Sequence, residues 1–171
     1  MIEVQVAGLG RIRGGAEVLL LLEERDGSRV LPIGIGPYEA EAIALHLNGT
    51  EVPRPLTHDL LTRVLAGLDA RLLGIEISAL ARNTFHARLL LEQAGKQVTI
   101  DSRPSDAVAL AVRAPAPIYV AEAVLDEAGF VPETPEEPAE PPPAADLSLF
   151  EQFIESLDDQ EPDRGSPESS A

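Results

Sequence analysis

One pattern of strands and helices occurs twice in this sequence, and it limits the possible folds more than any other feature. Pro37 and Pro104 each follow an alternating apolar run and begin an alanine-rich segment, and they lie 67 positions apart. Matching segments at a fixed offset indicate an internal duplication. The same offset relates Leu31 to Val98, Ile33 to Ile100, Glu39 to Asp106, Ala40 to Ala107, Ala42 to Ala109 and Ala44 to Ala111.

Each copy is predicted to contain three strands followed by helical segments. Asp26-Gly27 lies between two apolar runs and predicts a two-residue hairpin turn. Thr57 is predicted to cap a second helix whose apolar stripe faces the core. The stripe comprises Leu60, Leu61, Val64, Leu65 and Leu68. The predicted strands are 2–7, 17–23, 29–35, 71–80, 84–92 and 97–101, the helices 37–48, 58–68 and 104–113, and a closing strand edge or helix 119–128.

These elements predict an α+β fold and not a doubly wound nucleotide fold. A sheet with one apolar face must bury that face against another layer. We therefore expect the duplicated strand-strand-strand-helix-helix unit to form one curved, barrel-like sheet with helices outside. Gly8-Leu9-Gly10 is followed by Arg11 and Arg13 and not by a helix, and phosphate-binding glycine-loop motifs are absent. No organic cofactor is expected.

Composition divides the chain near Phe130. Of the 29 acidic residues, 12 lie after position 130, together with 8 of the 15 prolines and a single basic residue. We expect a folded domain at 1–130, a Pro/Glu-rich linker at 131–146 and a disordered tail at 159–171. Between linker and tail, an apolar stripe predicts an amphipathic helix at 147–158, which should dock on its own domain or on a partner protein.

Several protein classes are excluded by what the sequence lacks. Zero cysteines exclude disulfide scaffolds, thiolate metal sites and cysteine nucleophiles. No stretch of 18 apolar residues and no secretory signal pattern occurs, so we expect a cytoplasmic protein that does not contact membranes.

Two arginine–proline motifs at predicted helix starts carry residues suited to phosphate chemistry. They are Pro53-Arg54-Pro55-Leu56-Thr57-His58-Asp59 and Asp101-Ser102-Arg103-Pro104-Ser105-Asp106. Arginine binds phosphate oxygens bidentately, histidine serves as a general base, and carboxylates hold divalent cations. A metal-assisted phosphodiesterase site would use Arg54 and Arg103 as phosphate clamps, His58 as base, and Asp101, Asp106 and Asp59 as oxygen ligands of Mg²⁺ or another divalent cation.

Two other interpretations of these motifs stay open. First-turn acids complement the helix dipole, so the arginines and carboxylates could be structural ion pairs that brace the loops of a non-catalytic interaction domain. The helix N-termini could instead bind a small anion or a nucleotide phosphate.

The motifs also resemble those of the bifunctional nuclease domain family. The resemblance rests on Leu31-Pro-Ile-Gly-Ile-Gly36, the two arginine–proline motifs, and Ala116-Pro-Ile-Tyr-Val120, and covers about residues 1–130 in unbroken order. It implies a nuclease that cleaves DNA and RNA with low sequence specificity, on a duplicated α+β fold that forms homodimers. The site residues it favours are Arg54, His58, Asp59, Asp101, Arg103, Ser105 and Asp106.

Nucleic-acid binding usually requires a basic surface, and this chain has none that the sequence reveals. Residues 1–130 contain 12 basic and 17 acidic residues, and no run of Lys or Arg occurs. Since phosphate contacts supply most of the affinity for nucleic acids, we expect weak substrate binding.

Overall fold

The computed structural model describes residues 1–11 and 18–132. The order of elements is β1 (Ile2–Arg11), β2 (Val18–Glu24), β3 (Val30–Ile35), α1 (Pro37–Leu47), α2 (Thr57–Gly67), β4 (Ala70–Ala81), β5 (Thr84–Gln93), β6 (Lys96–Ser102), α3 (Pro104–Arg113), β7 (Ile118–Val120) and α4 (Glu122–Ala128). The predicted linker beyond residue 132, the helix at 147–158 and the tail at 159–171 lie outside the described residues.

The strands form one seven-stranded sheet that curls into a half-barrel, which confirms the predicted α+β class. Its order is β3-β2-β1-β7-β4-β5-β6. Two antiparallel three-stranded units, β1–β3 and β4–β6, are joined by the short strand β7, which runs antiparallel to β1 and parallel to β4. Each unit leads into a helix that begins with proline. In the first half the next element is another helix, α2, whereas in the second half β7 lies between α3 and α4. The internal duplication therefore stays a prediction.

Helix α3 lies at the centre of the core. Five consecutive residues, from Ala107 to Ala111, are buried, and the helix contacts β4, β5, α1 and α2. Alanine at three of these five positions lets neighbouring elements approach closely. Proline fits the first turn of α1 and α3 because its missing N–H has no partner inside a helix. Both helices therefore begin where the sequence predicts.

The prediction for the apolar stripe of α2 is wrong. No residue of α2 is buried, and Leu60, Val64 and Leu68 are 57%, 44% and 57% exposed. The helix packs mainly on α3 and β4, whereas α3 packs on both β4 and β5 of the sheet. Leu65 alone of the stripe packs partly against the core. Periodicity identified the amphipathic helix but not what its apolar side contacts.

Two local predictions also differ from the structure. Five residues, and not two, join β2 to β3, and only Gly27 of the Asp26-Gly27 pair has a positive φ, of 75°. The longer loop lets Arg29 and Ser28 hydrogen-bond the buried carboxylate of Glu24. Thr57 is the first residue of α2 and not its cap; Asp59 instead accepts a hydrogen bond from the Leu56 backbone N–H at 2.8 Å.

Among the described residues, no helix has the length and apolar character needed to cross a membrane.

Candidate functional site

The first turns of α2 and α3 bring His58 and Asp106 into contact. Each residue follows an extended segment that contains an arginine–proline pair, so each side chain lies at a helix N-terminus. His58 Nε2 lies 3.1 Å from Asp106 Oδ1, although the two residues are 48 positions apart. The sequence placed both residues in a candidate site, and the packing of α2 against α3 brings them together.

Arg103 holds the other side of the Asp106 carboxylate. Its Nε donates to Asp106 Oδ2 at 2.7 Å and its Nη2 to Asp106 Oδ1 at 3.1 Å. Its Nη1 donates to Glu39 Oε1 at 2.9 Å, which links α3 to α1. A guanidinium has five N–H groups; three are used here, so two remain free for another acceptor. The side chain is 64% exposed, and these donors are accessible.

Electrostatics keep Asp106 ionised. Burial alone would raise the pKa of this carboxyl, but the hydrogen bonds from Arg103 and His58 outweigh burial and hold its pKa below the ordinary value. The same pairing, with a further contribution from Glu39, raises the pKa of Arg103. Because an ionised carboxylate only accepts hydrogen bonds, His58 donates from Nε2 in this contact. In the neutral ring this tautomer leaves a lone pair on Nδ1.

A surface cleft of about 660 Å³ adjoins these residues. It is large enough for a nucleotide-sized ligand. Its lining includes the apolar side chains of Leu45, Val52 and Leu56. The polar and charged lining residues include His58, Asp106, Arg103, Glu39 and Glu41. His58 itself is mostly buried, with its side chain 11% exposed, so the helices fix its position.

Asp59 does not join this cleft, despite its place beside His58 in the sequence. Its Oδ1 accepts a hydrogen bond from Arg113 Nε at 2.6 Å, and its Oδ2 is occupied by the Leu56 N–H. Arg113 is buried, with 5% of its side chain exposed, and also donates to the carbonyl oxygens of Ala109 and Ala42 at 2.9 and 2.8 Å. The bond from Arg113, and next that from Leu56, hold the pKa of Asp59 below its ordinary value. These contacts make Asp59 part of a structural ion pair that joins α1, α2 and α3.

The other predicted site residues lie apart from the His58 contact. Asp101 is exposed on β6, where it is paired in register with Arg88, and it does not line the cleft. Arg54 is exposed in the loop before α2 and makes no ion pair with any residue in the described part of the chain. Ser105 is 6% exposed and lines a second cavity, which Arg103 also lines.

This arrangement does not fit the divalent cation expected from the sequence. Both oxygens of Asp106 already accept hydrogen bonds from Arg103 or His58, and Asp101 does not face the same cleft. Oxygen-ligated cations need several ligands around one point. Within residues 1–11 and 18–132, no three His, Cys, Asp or Glu side chains are grouped to hold one.

Sequence reasoning gave no role to Arg113. It predicted Glu39 to lie in the first turn of a helix, in a polar Pro37-Tyr38-Glu39 cluster equivalent to the start of α3, but not to pair with Arg103. Arg113 lies three and four positions after the buried Leu110 and Ala109, so its place on the inner side of α3 was visible in the helical spacing. Its partners were not, because Asp59 and Ala42 are 54 and 71 positions away. Glu39 meets Arg103 only because α1 packs on α3.

Comparison with known proteins places the same part of the chain in one family. The model of the family described as "Bifunctional nuclease domain" matches residues 20–133. Two relatives from Mycobacterium tuberculosis, uncharacterized protein Rv1829 of strain ATCC 25618 / H37Rv and uncharacterized protein MT1877 of strain CDC 1551 / Oshkosh, are each 43% identical to this chain over 157 residues. The match covers 91% of this chain and 94% of each relative. His58, Asp106 and Arg103 all lie within the matched family region.

Proposed function

Because this chain belongs to the bifunctional nuclease domain family, we propose that it hydrolyses phosphodiester bonds in DNA and RNA with low sequence specificity. The single observation that supports this proposal is the contact of His58 with Asp106, itself held by Arg103, at the edge of an open cleft. A base, a group that orients it and a cation for phosphate oxygens are the parts that general acid–base hydrolysis requires.

In this proposal His58 is the general base. Its Nδ1 takes the proton of the attacking group, which is a water molecule or, on RNA, the neighbouring 2′-hydroxyl. As the attacking oxygen bonds to phosphorus, the bond between phosphorus and the leaving oxygen breaks, and that oxygen takes a proton from solvent. Asp106 fixes the ring tautomer through Nε2 and stabilises the imidazolium that forms. One of the two free N–H groups of Arg103 binds a non-bridging oxygen, where negative charge increases during attack.

Low specificity follows from the chemistry of these groups. An arginine and a histidine that contact phosphate oxygens carry no information about the base. The acidic balance of the domain, 12 basic against 17 acidic residues in 1–130, predicts weak binding that weakens further as salt rises.

The cation expected from the sequence stays a hypothesis, and no step above passes through it. For Asp106 to become a ligand, Arg103 or His58 would first have to release one of its oxygens. Activity in EDTA distinguishes the two mechanisms: the proposed one predicts a rate within about twofold of the rate with Mg²⁺, since each of its groups is a side chain.

The test is cleavage of plasmid DNA and of RNA by highly purified protein. His58→Ala should reduce the rate by about 10²–10⁴-fold, the usual contribution of a general base. His86→Ala is the matched control, because His86 is exposed on β5 and does not line the cleft. Equal rates for wild type and both variants would indicate a contaminating nuclease and overturn the proposal.

A second candidate function is supported by the exposed apolar side of α2. Leu60, Val64 and Leu68 are about half exposed, and large exposed apolar patches mark interaction sites. An interaction domain would bind a second copy of the chain through this surface, with Arg103 and Asp106 as structural pairs. This second function predicts a homodimer without nuclease activity, whereas the first proposal is compatible with a homodimer that is also a nuclease.

A further inference from the structure

A second cavity, of about 630 Å³, shares Arg103 and Glu39 with the His58 cleft. The N-termini of α1 and α3 border it, and β3 and the start of β5 form its walls. Its lining includes Gly34, Phe85, Arg103 and Ser105. Arg103 thus lines both cavities.

The N-terminus of α3, whose residues Arg103, Pro104 and Ser105 line this cavity, has unused hydrogen-bond donors. The first hydrogen bond of the helix runs from the Ala107 N–H to the Arg103 carbonyl, and no side chain caps the helix. The amides of Ser105 and Asp106 precede that bond, so they have no acceptor within the helix. No other acceptor for them occurs in the part of the chain that the structure describes. Free N–H groups at a helix N-terminus favour an anion.

The Ser105 side chain is an independent indication of a ligand. Ser105 is only 6% exposed, yet its hydroxyl makes no hydrogen bond to any described residue. Buried hydroxyl groups are nearly always paired. Every fully enclosed polar side-chain atom of the described residues does have a partner. The Ser105 hydroxyl is therefore not enclosed, and the opening available to it is the cavity that it lines.

The cavity carries no net positive charge, because its single cation, Arg103, is paired with both Glu39 and Asp106, so an anion is held there by hydrogen bonds. Arg103 is the cation of the lining, and two of its N–H groups are free. The one carboxylate in the lining, Glu39, is paired with Arg103 at 2.9 Å. Asp106 is held by Arg103 and His58 and lines the other cleft.

We propose that this cavity binds a phosphate group, held by the Ser105 hydroxyl, the Ser105 and Asp106 backbone amides and Arg103. The proposal that the bound phosphate belongs to a nucleic-acid strand rests on the proposed nuclease function. The proposal that the cavity binds phosphate does not depend on that function. In that assignment the strand crosses Arg103, with the bond to be cleaved beside His58 and a neighbouring phosphate at the N-terminus of α3. Phe85 offers the adjoining nucleotide an aromatic surface.

The proposal is tested by binding, measured separately from cleavage. Full-length His58→Ala protein, labelled with ¹⁵N, is titrated with inorganic phosphate and then with a short single-stranded oligonucleotide. We expect both ligands to shift the amide resonances of Ser105 and Asp106. Ser105→Ala should weaken phosphate binding about tenfold, as expected for the loss of a hydrogen bond to a charged group.

A second pair of variants guards against effects of Ser105→Ala on folding. A side chain at Gly34 would meet open space, and its backbone is not in the left-handed region, so substitution there is tolerated. Gly34→Glu should weaken phosphate binding at least tenfold relative to Gly34→Gln, which has nearly the same size without the charge.

Unshifted Ser105 and Asp106 resonances under phosphate, or equal affinity in the two Gly34 variants, would overturn the proposal. An oligonucleotide that shifts resonances of the His58 cleft but not Ser105 would overturn the assignment to nucleic acid. If phosphate binds as expected and wild-type protein cleaves nothing, the nuclease proposal fails while the anion site stands.

Discussion

Replacing Asp59 with Asn should destabilise the domain, because it leaves the guanidinium of Arg113 buried without its charge partner. The Arg113 side chain is 5% exposed and donates hydrogen bonds to Asp59 Oδ1 and to two backbone carbonyl oxygens. The change keeps the size of the side chain and removes its charge. It therefore tests whether Asp59 supports the fold, as its contacts indicate, or takes part in the reaction, as its place beside His58 suggests.

The expected cost follows from burial. Breaking a buried ion pair by removing one partner costs about 3–5 kcal/mol. The Asp59 side chain is 27% exposed, so water can partly replace the lost contact, and the Asn oxygen still accepts one hydrogen bond. We therefore expect a loss of about 2 kcal/mol in the free energy of unfolding. In a domain of this size that lowers Tm by roughly 6–10 °C.

The measurement is urea unfolding followed by circular dichroism at pH 7, with Tm from calorimetry. Glu92→Gln is the control, because Glu92 forms an exposed pair with Arg71, and such pairs contribute about 0–1 kcal/mol. Arg113→Met and the double variant complete a cycle whose coupling energy should exceed about 1 kcal/mol. An Asp59→Asn protein within about 0.5 kcal/mol of wild type, or one that is fully stable but inactive, would refute the structural role.

Three further predictions concern pH, assembly and metal. Asp59 and Asp106 have lowered pKa values in the fold. The stability they contribute is therefore present above their unfolded pKa of 3.8 and is lost as pH falls through their folded pKa values. Tm measured from pH 6 to pH 2 should fall less steeply in Asp59→Asn than in wild type, and parallel curves would contradict this. Leu60→Asp with Val64→Asp should convert a dimer to a monomer in light scattering after size exclusion, whereas a wild-type monomer would show that α2 does not bind a second copy. Cleavage in EDTA should stay within about twofold of the rate with Mg²⁺, and complete loss that Mg²⁺ restores would require a cation at the site.

The sequence predicted best where local rules decide the structure. Proline fixes the start of a helix, so α1 and α3 begin at Pro37 and Pro104 as expected. Ala94 and Gly95 lie between the predicted strands 84–92 and 97–101, and both adopt positive φ, as a two-residue hairpin turn requires. Asp26-Gly27 matches the same rule but lies in a five-residue loop, because Glu24 is buried and needs the hydrogen bonds of the longer loop.

The site was predicted less well, because tertiary packing decides which polar groups meet. Asp59 and His58 are adjacent, yet helical rotation directs one to Arg113 and the other to Asp106. Asp101 is five positions before Asp106, but it lies on an exposed strand and not on the helix that carries Asp106. The burial of the α2 stripe was predicted wrongly for the same reason, because hydrophobic spacing does not show which helix occupies the core.

The most direct test of the account is the rate of cleavage of a defined oligonucleotide by wild type, His58→Ala, Asp106→Ala and the variant that combines both changes. Groups that act as one unit lose their effect together, so the combined variant should be about as slow as His58→Ala alone. Losses that multiply would show that His58 and Asp106 act independently. Rates equal to wild type in all three variants would contradict the assignment of this cleft as the site of hydrolysis.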